Sequence, residues 1–449
     1  MNLDPSPRTP LRVVVAGGGI AGAESLLALR DLVGDRAEIM LVSPSTELVL
    51  PPLSVGEAFA LSHAPRYELD ELLARVGAGH IPGVLAAVDS AQREITLKDG
   101  VTVAFDALVI AVGAKPVERV QHATTWWPRS DSETFHGLLR DLEEGYTKRV
   151  AFVIPPGAVW PLPLYEIALM TARQVFAMGI DDAELTVITP EALPLALFGA
   201  QAATALRDEL ATAGVRLEAA TVARIERGHK PQVVLAPSNR RLEVDRVVAL
   251  PGVEGPRIPG TTQDEDGFVR VDRYGKMLDA DSVWAAGDAV AYPVKFGGLA
   301  AQQADAVATD IARSVGVEVA HPSEGRLTLR GVLMTGATPR ALGTATDSPS
   351  APKRMWQPAE KVFGEYLTPY LREVNADLDR TREGTGVVVE ETLPEQGGGE
   401  HEDFHALWRE GSRDPDHLRR LGHDIHEYEV RHRQSAEILR DHGQLGGRR

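Results

Sequence analysis

Arg12-Val13-Val14-Val15-Ala16-Gly17-Gly18-Gly19-Ile20-Ala21-Gly22 is the stretch on which the fold turns. A mostly apolar strand runs into a glycine turn, a helical pattern continues to about Leu32, and Glu38-Ile39-Met40-Leu41-Val42 reads as the next strand. Strand, glycine turn, helix and strand in that order make one βαβ unit. Gly17 permits the tight turn, Gly19 lets backbone approach a pyrophosphate, and Gly22 lets the helix pack close to the strand. The helix N-terminus then offers its free N–H groups to phosphates. The expectation is a dinucleotide held by Gly17, Gly19, Ala21 and Gly22. The second strand of such a unit normally ends in an acid that bonds the ribose, whereas this one ends in Ser43, so a hydroxyl there or on Ser45 is the expected substitute.

Two further strand ends carry the same chemistry. Hairpin strands around Lys98-Asp99-Gly100 lead into Phe105-Asp106-Ala107-Leu108-Val109-Ile110-Ala111-Val112-Gly113-Ala114, an apolar strand that ends in small residues. Small residues let the chain pass close to a cofactor, which makes Ala111 and Gly113 candidates. Asp281-Ser282-Val283-Trp284-Ala285-Ala286-Gly287-Asp288-Ala289 precedes a small-residue helix from about Gly297. There Gly287 and Asp288 are candidates, with the carboxylate bonding a polyol and the helix N-terminus facing a flavin-type ring. The alternative for Asp288 is an acidic helix cap.

Residues 148–190 repeat the strand, turn, helix, strand plan, with Arg149–Ile154 and Leu185–Thr189 as strands. The turn between them is Pro155-Pro156-Gly157-Ala158-Val159-Trp160-Pro161-Leu162-Pro163-Leu164, whose one glycine and four prolines offer no glycine-lined cradle. A second Rossmann-like unit with a degenerate nucleotide site is expected. After about residue 320 come a short mixed region near 326–336 and an aromatic, mildly basic segment from Trp356 to Leu371. That segment reads either as an interfacial membrane contact or as packing against the first domain or a second subunit. Residues 373–449 carry 18 acidic residues against 11 arginines, and read as an acidic linker to Glu402 followed by polar helices. His423 and His426, at i and i+3 in that tail, read as part of a solvated helix, so no metal site is expected.

The expected architecture is therefore α/β: two Rossmann-like dinucleotide-binding domains, a smaller C-terminal α+β region and a polar helical tail. The boundaries are 10–120 and 241–318 for the first domain, 121–240 for the second, 319–374 for the C-terminal region and 375–449 for the tail. A chain of 449 residues is long enough for such a multi-domain core. The net charge of −17 argues against nucleic acid as a partner. With no cysteine, disulfides, thiolate metal sites and thiol-based redox steps are excluded. No export signal or membrane span is read, which gives a cytoplasmic expectation, with peripheral membrane contact as its variant.

GxGxxG near the start, the Asp-x-Leu-Val-Ile-Ala-x-Gly-Ala strand and Val-Trp-Ala-Ala-Gly-Asp, in this order, resemble the pyridine nucleotide-disulfide oxidoreductase superfamily over residues 10–372. The resemblance implies FAD extended across the first domain, with Asp288 on the ribityl chain and Gly17, Gly19, Gly22, Ala111, Gly113 and Gly287 around it. Leu50-Pro51-Pro52-Leu53-Ser54 and Lys295-Phe296-Gly297-Gly298-Leu299-Ala300-Ala301-Gln302-Gln303-Ala304 are similar to the branch of type II NADH:quinone oxidoreductases, sulfide:quinone oxidoreductases and flavocytochrome c sulfide dehydrogenases. In that comparison Trp160, ahead of Tyr165-Glu166, stands where a sulfide dehydrogenase keeps a reactive cysteine, and an indole holds no persulfide. The glycine-rich second turn of the NADH-using members is missing too.

These readings imply an FAD-dependent oxidoreductase passing electrons from an unidentified donor, NAD(P)H being one candidate, to a quinone or other small acceptor. Lys295, Glu166 and Trp160 are the candidate catalytic residues, and a homodimer is one candidate assembly. The rival is a flavin-binding protein without turnover that acts as an interaction or scaffold partner, with the acidic tail as its protein-binding element.

Overall fold

The computed structural model describes residues 10–59, 64–127, 132–228, 230–320, 325, 327–336, 340–342, 362–375 and 390–392. Two five-stranded parallel sheets organise them. In the first, the strands follow one another across the sheet as Val283–Ala285, Ala107–Ile110, Leu11–Ala16, Ala37–Ser43 and Gly79–Pro82. Leu11–Ala16 lies in the middle, with Val15 facing Leu41 on one side and Val109 on the other. A parallel strand covered on both faces reads as a continuous apolar run, and Val13, Val14, Val15 and Ala16 are all buried.

Seven helices lie among the described residues: α1 (Ile20–Val33), α2 (Leu69–Val76), α3 (Ser132–Glu143), α4 (Leu162–Ala177), α5 (Gly199–Thr212), α6 (Gly297–Ser314) and α7 (Leu367–Asn375). Helices α1 and α6 meet through small residues: Ala21, Ala23 and Ala28 of one share a core with Ala300, Ala301, Ala304 and Ala308 of the other. Small side chains at a crossing bring helix axes close, so both helices start near the same sheet edge.

The second sheet runs Thr124–Thr125, Arg246–Ala249, Arg149–Val153, Glu184–Ile188 and Arg216–Glu218. Its second member lies beyond residue 240, where the sequence reading set the boundary, because Val247 and Val248 pair with Ala151 and Phe152. The chain passes between the sheets along an antiparallel pair, Lys115–Val117 with Gly252–Glu254. Both crossings lie side by side there.

The C-terminal region is held from two directions. Thr328–Leu333 pairs antiparallel with Arg340–Leu342 and, from within the stretch read as linker, with Glu390–Thr392. The linker reading is corrected at those three residues, which follow the β-branched run Val387-Val388-Val389. Helix α7 is docked on α1, because the Tyr366 and Leu367 N–H groups donate to Glu24 Oε1 and Oε2 at 2.8 and 2.7 Å. Glu24 is hydrogen-bonded to Asp305 of α6, and burial pushes both carboxyls up, Asp305 well above its ordinary value with Glu24 adding to the rise. Two carboxyls buried side by side disfavour a second negative charge beneath the α7 N-terminus. Of the aromatic segment, Tyr366, Leu367, Tyr370 and Leu371 join the core of the first domain. Trp356 and the tail histidines fall outside the described residues. Among the described residues no helix is long and apolar enough to cross a membrane.

Asp245 ties the start of the second sheet together. Its Oδ2 accepts from Lys148 N at 3.0 Å and Arg149 N at 2.9 Å, and its Oδ1 accepts from Lys230 Nζ at 2.6 Å. Burial acts against the charge, yet these bonds hold the carboxyl far below its usual value. A carboxyl depressed by folding contributes stability that is present above its unfolded pKa, about 4, and is lost as pH falls below it. Asp245→Asn should therefore cost about 2 kcal/mol at pH 7. In thermal melts the gap between wild type and variant should narrow below about pH 4, and a gap constant with pH would contradict this role.

Candidate functional site

A cavity of about 490 Å³ opens where the two sheets meet, and much of its lining comes from residues just past the carboxyl ends of the sheet strands. Gly17, Gly18 and Gly19 follow Ala16; Ser43 closes its strand; Ala111 and Gly113 follow Ile110; Gly287 and Asp288 follow Ala285. From the second sheet come Trp126 after Thr125, Ala158 and Trp160 after Val153, and Leu250 and Pro251 after Ala249. In an open parallel sheet the carboxyl ends are where helices leave in opposite directions and a crevice remains. Here two such crevices face one another and merge.

The three glycines of the first turn have separable tasks. Gly17 has φ +117°, and a Cβ on it would lie 2.3 Å from the Ala111 carbonyl oxygen. A Cβ on Gly22 would lie 1.8 Å from the Gly17 oxygen. Gly19 is different, since nothing lies within 4 Å of where its Cβ would be, and it lines the cavity. A Cβ at Gly19 would point into cradle space without meeting the protein. Gly19 is also the N-cap of α1 and supplies no side-chain cap, so the first N–H groups of the helix remain available to an anion. Opposite it, Gly287 has φ +75° and its N–H donates to Gln303 Oε1 at 2.8 Å, which fixes the turn presenting Asp288.

Ser43 is placed at the cavity but is largely committed elsewhere. Its Oγ donates to the Ser45 carbonyl and accepts the Ser45 N–H, both at 3.1 Å. Ser45 in turn closes on Glu47, donating at 2.9 Å and accepting at 3.1 Å. Glu47 lines the cavity with its carboxylate oriented by Arg66 at 2.8 Å. It is an acid four residues past the usual position, at the start of the strand Glu47–Val49, and the sequence reading missed it.

The far end is apolar with two charged residues set into it. Trp160 stacks on Phe296 with ring centroids 4.4 Å apart and meets Phe198 edge-on at 5.6 Å. Lys295 is buried, donates to the Val290 carbonyl and lies 3.9 Å above the Phe268 ring. Burial pushes its ammonium down to about 8, against the pull of Asp288 and Asp264. Glu166 is buried in α4 and accepts from Met334 N at 2.9 Å, so it also anchors the end of the strand Thr328–Leu333. Of the residues picked from sequence, Gly17, Gly19, Ala21, Ser43, Ala111, Gly113, Gly287, Asp288, Lys295, Glu166 and Trp160 all line the cavity. Gly22 alone does not, because it packs behind the turn.

The second unit meets the cavity without a glycine cradle. Helix α4 begins with Pro161 at its N-cap and Pro163 in its first turn, two positions with no N–H to donate. Past the end of its second strand, Glu191 is 1% exposed. Its Oε2 accepts from Tyr165 Oη at 2.5 Å and Thr189 Oγ1 at 3.2 Å, and its Oε1 accepts from Leu195 N at 2.9 Å. Burial pushes this carboxyl up to about 7 despite those three bonds. Thr189-Pro190-Glu191 is the signal in the sequence that could have drawn attention to it.

Comparison with known proteins gives the family and the fold. The sequence profile of the pyridine nucleotide-disulphide oxidoreductase family matches residues 11–145 and 166–315, more than half of the chain, and the gap contains the proline-rich turn. Over 301 residues the chain is 27% identical to the ferredoxin reductase component of chlorobenzene dioxygenase from Cupriavidus sp. (strain PS12), covering 64% of this chain and 68% of that protein. The fold is similar to that of the sulfide:quinone oxidoreductase of Aquifex aeolicus, with a TM-score of 0.65, 18% identity and coverage of 87% of this chain and 99% of that one. It is also similar to a ferredoxin reductase of Rhodopseudomonas palustris, with a TM-score of 0.54, 21% identity and coverage of 71% and 79%. The chain belongs to the pyridine nucleotide-disulphide oxidoreductase family and is an FAD-dependent oxidoreductase.

Proposed function

We propose that the cavity is the FAD site along its whole length, and that the electron acceptor is a quinone or another small planar molecule admitted at its apolar end. The observation that carries this reading is the continuity of the cavity from Gly19 and Asp288 at one side to Trp160, Phe296 and Lys295 at the other. Gly19 and the α1 N-terminus suit the pyrophosphate, Glu47 the adenosine ribose, and Asp288 the ribityl hydroxyls. When bound, the flavin supplies hydride and single-electron chemistry that no side chain here provides.

The chain's own residues then set the conditions. Lys295 keeps a positive charge in an apolar wall at neutral pH, where it opposes the negative charge that reduction builds. Trp160, Phe296, Leu250 and Val332 exclude water and offer flat apolar surface to an acceptor. The donor is not a tightly bound nicotinamide nucleotide in this reading. Pro161 and Pro163 remove N–H groups from the α4 N-terminus, and Glu191 has spent both carboxylate oxygens inside the protein.

Gly19→Val should purify folded, with an unchanged thermal transition, but colourless, whereas Gly22→Val should lose the fold itself. A Gly19→Val protein that keeps a full complement of FAD would contradict the assignment.

In anaerobic stopped-flow mixing, wild-type flavin should be reduced slowly by NADH or NADPH, with no saturation at micromolar concentration. Once reduced chemically, it should be reoxidised rapidly by a water-soluble quinone. Fast saturable reduction by micromolar NADH, or inertness toward quinone, would overturn the donor and acceptor readings respectively.

A further inference from the structure

Glu191 is unusual among the buried acids because each of its oxygens leads, by a separate route, to the same indole. Oε2 holds the phenol of Tyr165, in the first turn of α4, and five residues back along that segment is Trp160. Oε1 holds the N–H of Leu195, a leucine in the left-handed region at φ +56° that caps the short turn Ala196–Phe198. Phe198, fully buried at the end of that turn, meets the edge of Trp160. The other face of Trp160 rests on Phe296. The carboxylate thus ties the start of α4, which follows Trp160, to the turn that carries the edge-on neighbour of Trp160.

The position of Glu191 gives the arrangement its meaning. In a dinucleotide-binding unit, the loop after the second strand carries the acid that bonds a ribose. In this chain Glu191 occupies that loop, after the strand Glu184–Ile188, and points inward instead. We infer that Glu191 is a positioning residue, a ribose-type carboxylate turned inward that fixes the Trp160 indole as the wall of the flavin and acceptor cavity. This rests on the proposed reading of that cavity, but the position of the ring is observable whether or not flavin is bound. Burial is the largest influence on the Glu191 carboxyl, and hydrogen bonds from Tyr165, Leu195 and Thr189 oppose it, so among the described residues these three groups hold it.

The test is fluorine NMR on the full chain labelled with 5-fluorotryptophan. Six tryptophans give six resonances, and Trp160→Phe assigns one of them by its loss. Glu191→Ala should shift and broaden the Trp160 resonance while leaving the other five in place. Glu191→Gln, which keeps a carbonyl for Leu195 N and an amide for the two hydroxyls, should restore it. Tyr165→Phe removes a single hydroxyl, so it should fold even where Glu191→Ala does not, and it should shift the same resonance. An unmoved Trp160 signal in either folded variant, or an equal disturbance of all six, would overturn the inference. Visible absorbance of the same samples reports separately on the cavity. A colourless wild type would overturn the flavin reading, while a Trp160 shift between it and the variants would leave the role of Glu191 standing.

Discussion

No side chain fits at Gly22, where a Cβ would lie 1.8 Å from the Gly17 oxygen, and the geometry of the first domain depends on that missing atom. Helix α1 can start directly behind the strand Leu11–Ala16 only because Gly22 lets it sit on the carbonyl of the turn it has just left. The alanines of α1 and α6 then allow the second helix equally close, and its N-terminus reaches the same sheet edge. A Cβ built on Gly287 comes within 3.0 Å of Ala21, so the turn carrying Asp288 rests on the first turn of α1. The glycine turn and the turn carrying Asp288 are thus positioned by one chain of small-residue contacts. Glu24 and Asp305, buried side by side along these same two helices, extend the chain of contacts to α7.

The two parallel sheets share a plan and have been put to different uses. In the first, the glycines, Ser43, Ala111 and Asp288 at the carboxyl ends leave room for a ligand. In the second, the corresponding ends are Trp126, Trp160, Leu250 and Pro251, which fill the space with apolar surface. The same divergence appears in the two ribose positions. Ser43 has no carboxylate to offer and a glutamate on the next strand lies at the cavity, while Glu191 has a carboxylate and keeps it inside. In the proposed reading the chain keeps one dinucleotide site and uses the second unit as a wall of it.

What was legible in the sequence was whatever local geometry dictates. Glycines at 17, 19 and 22 after an apolar strand, the small residues ending at Gly113 and the Ala-Gly-Asp turn each carry their reason within a few residues, and Gly17, Gly19, Ala111, Gly113, Gly287 and Asp288 line the cavity. Prolines at 161 and 163 remove N–H groups regardless of context, so the degenerate second turn was equally readable. What escaped depends on residues distant in sequence. Whether Glu191 faces out or in is decided by Tyr165 and Leu195, and whether Phe296 and Phe198 meet Trp160 is decided by the packing of three segments far apart in the chain. The return of residues 246–249 to the second sheet and the pairing of residues 390–392 with the strand Thr328–Leu333 are long-range sheet contacts that strand propensity alone does not locate.

The central claim is that one dinucleotide site is built and the second is closed by its own side chains. Native mass spectrometry of the purified chain, sprayed with and without millimolar NADH and NADPH, counts nucleotides directly. The account predicts one FAD per chain and no retained nicotinamide nucleotide under either condition. A stoichiometric second nucleotide on the flavin-loaded chain would contradict it.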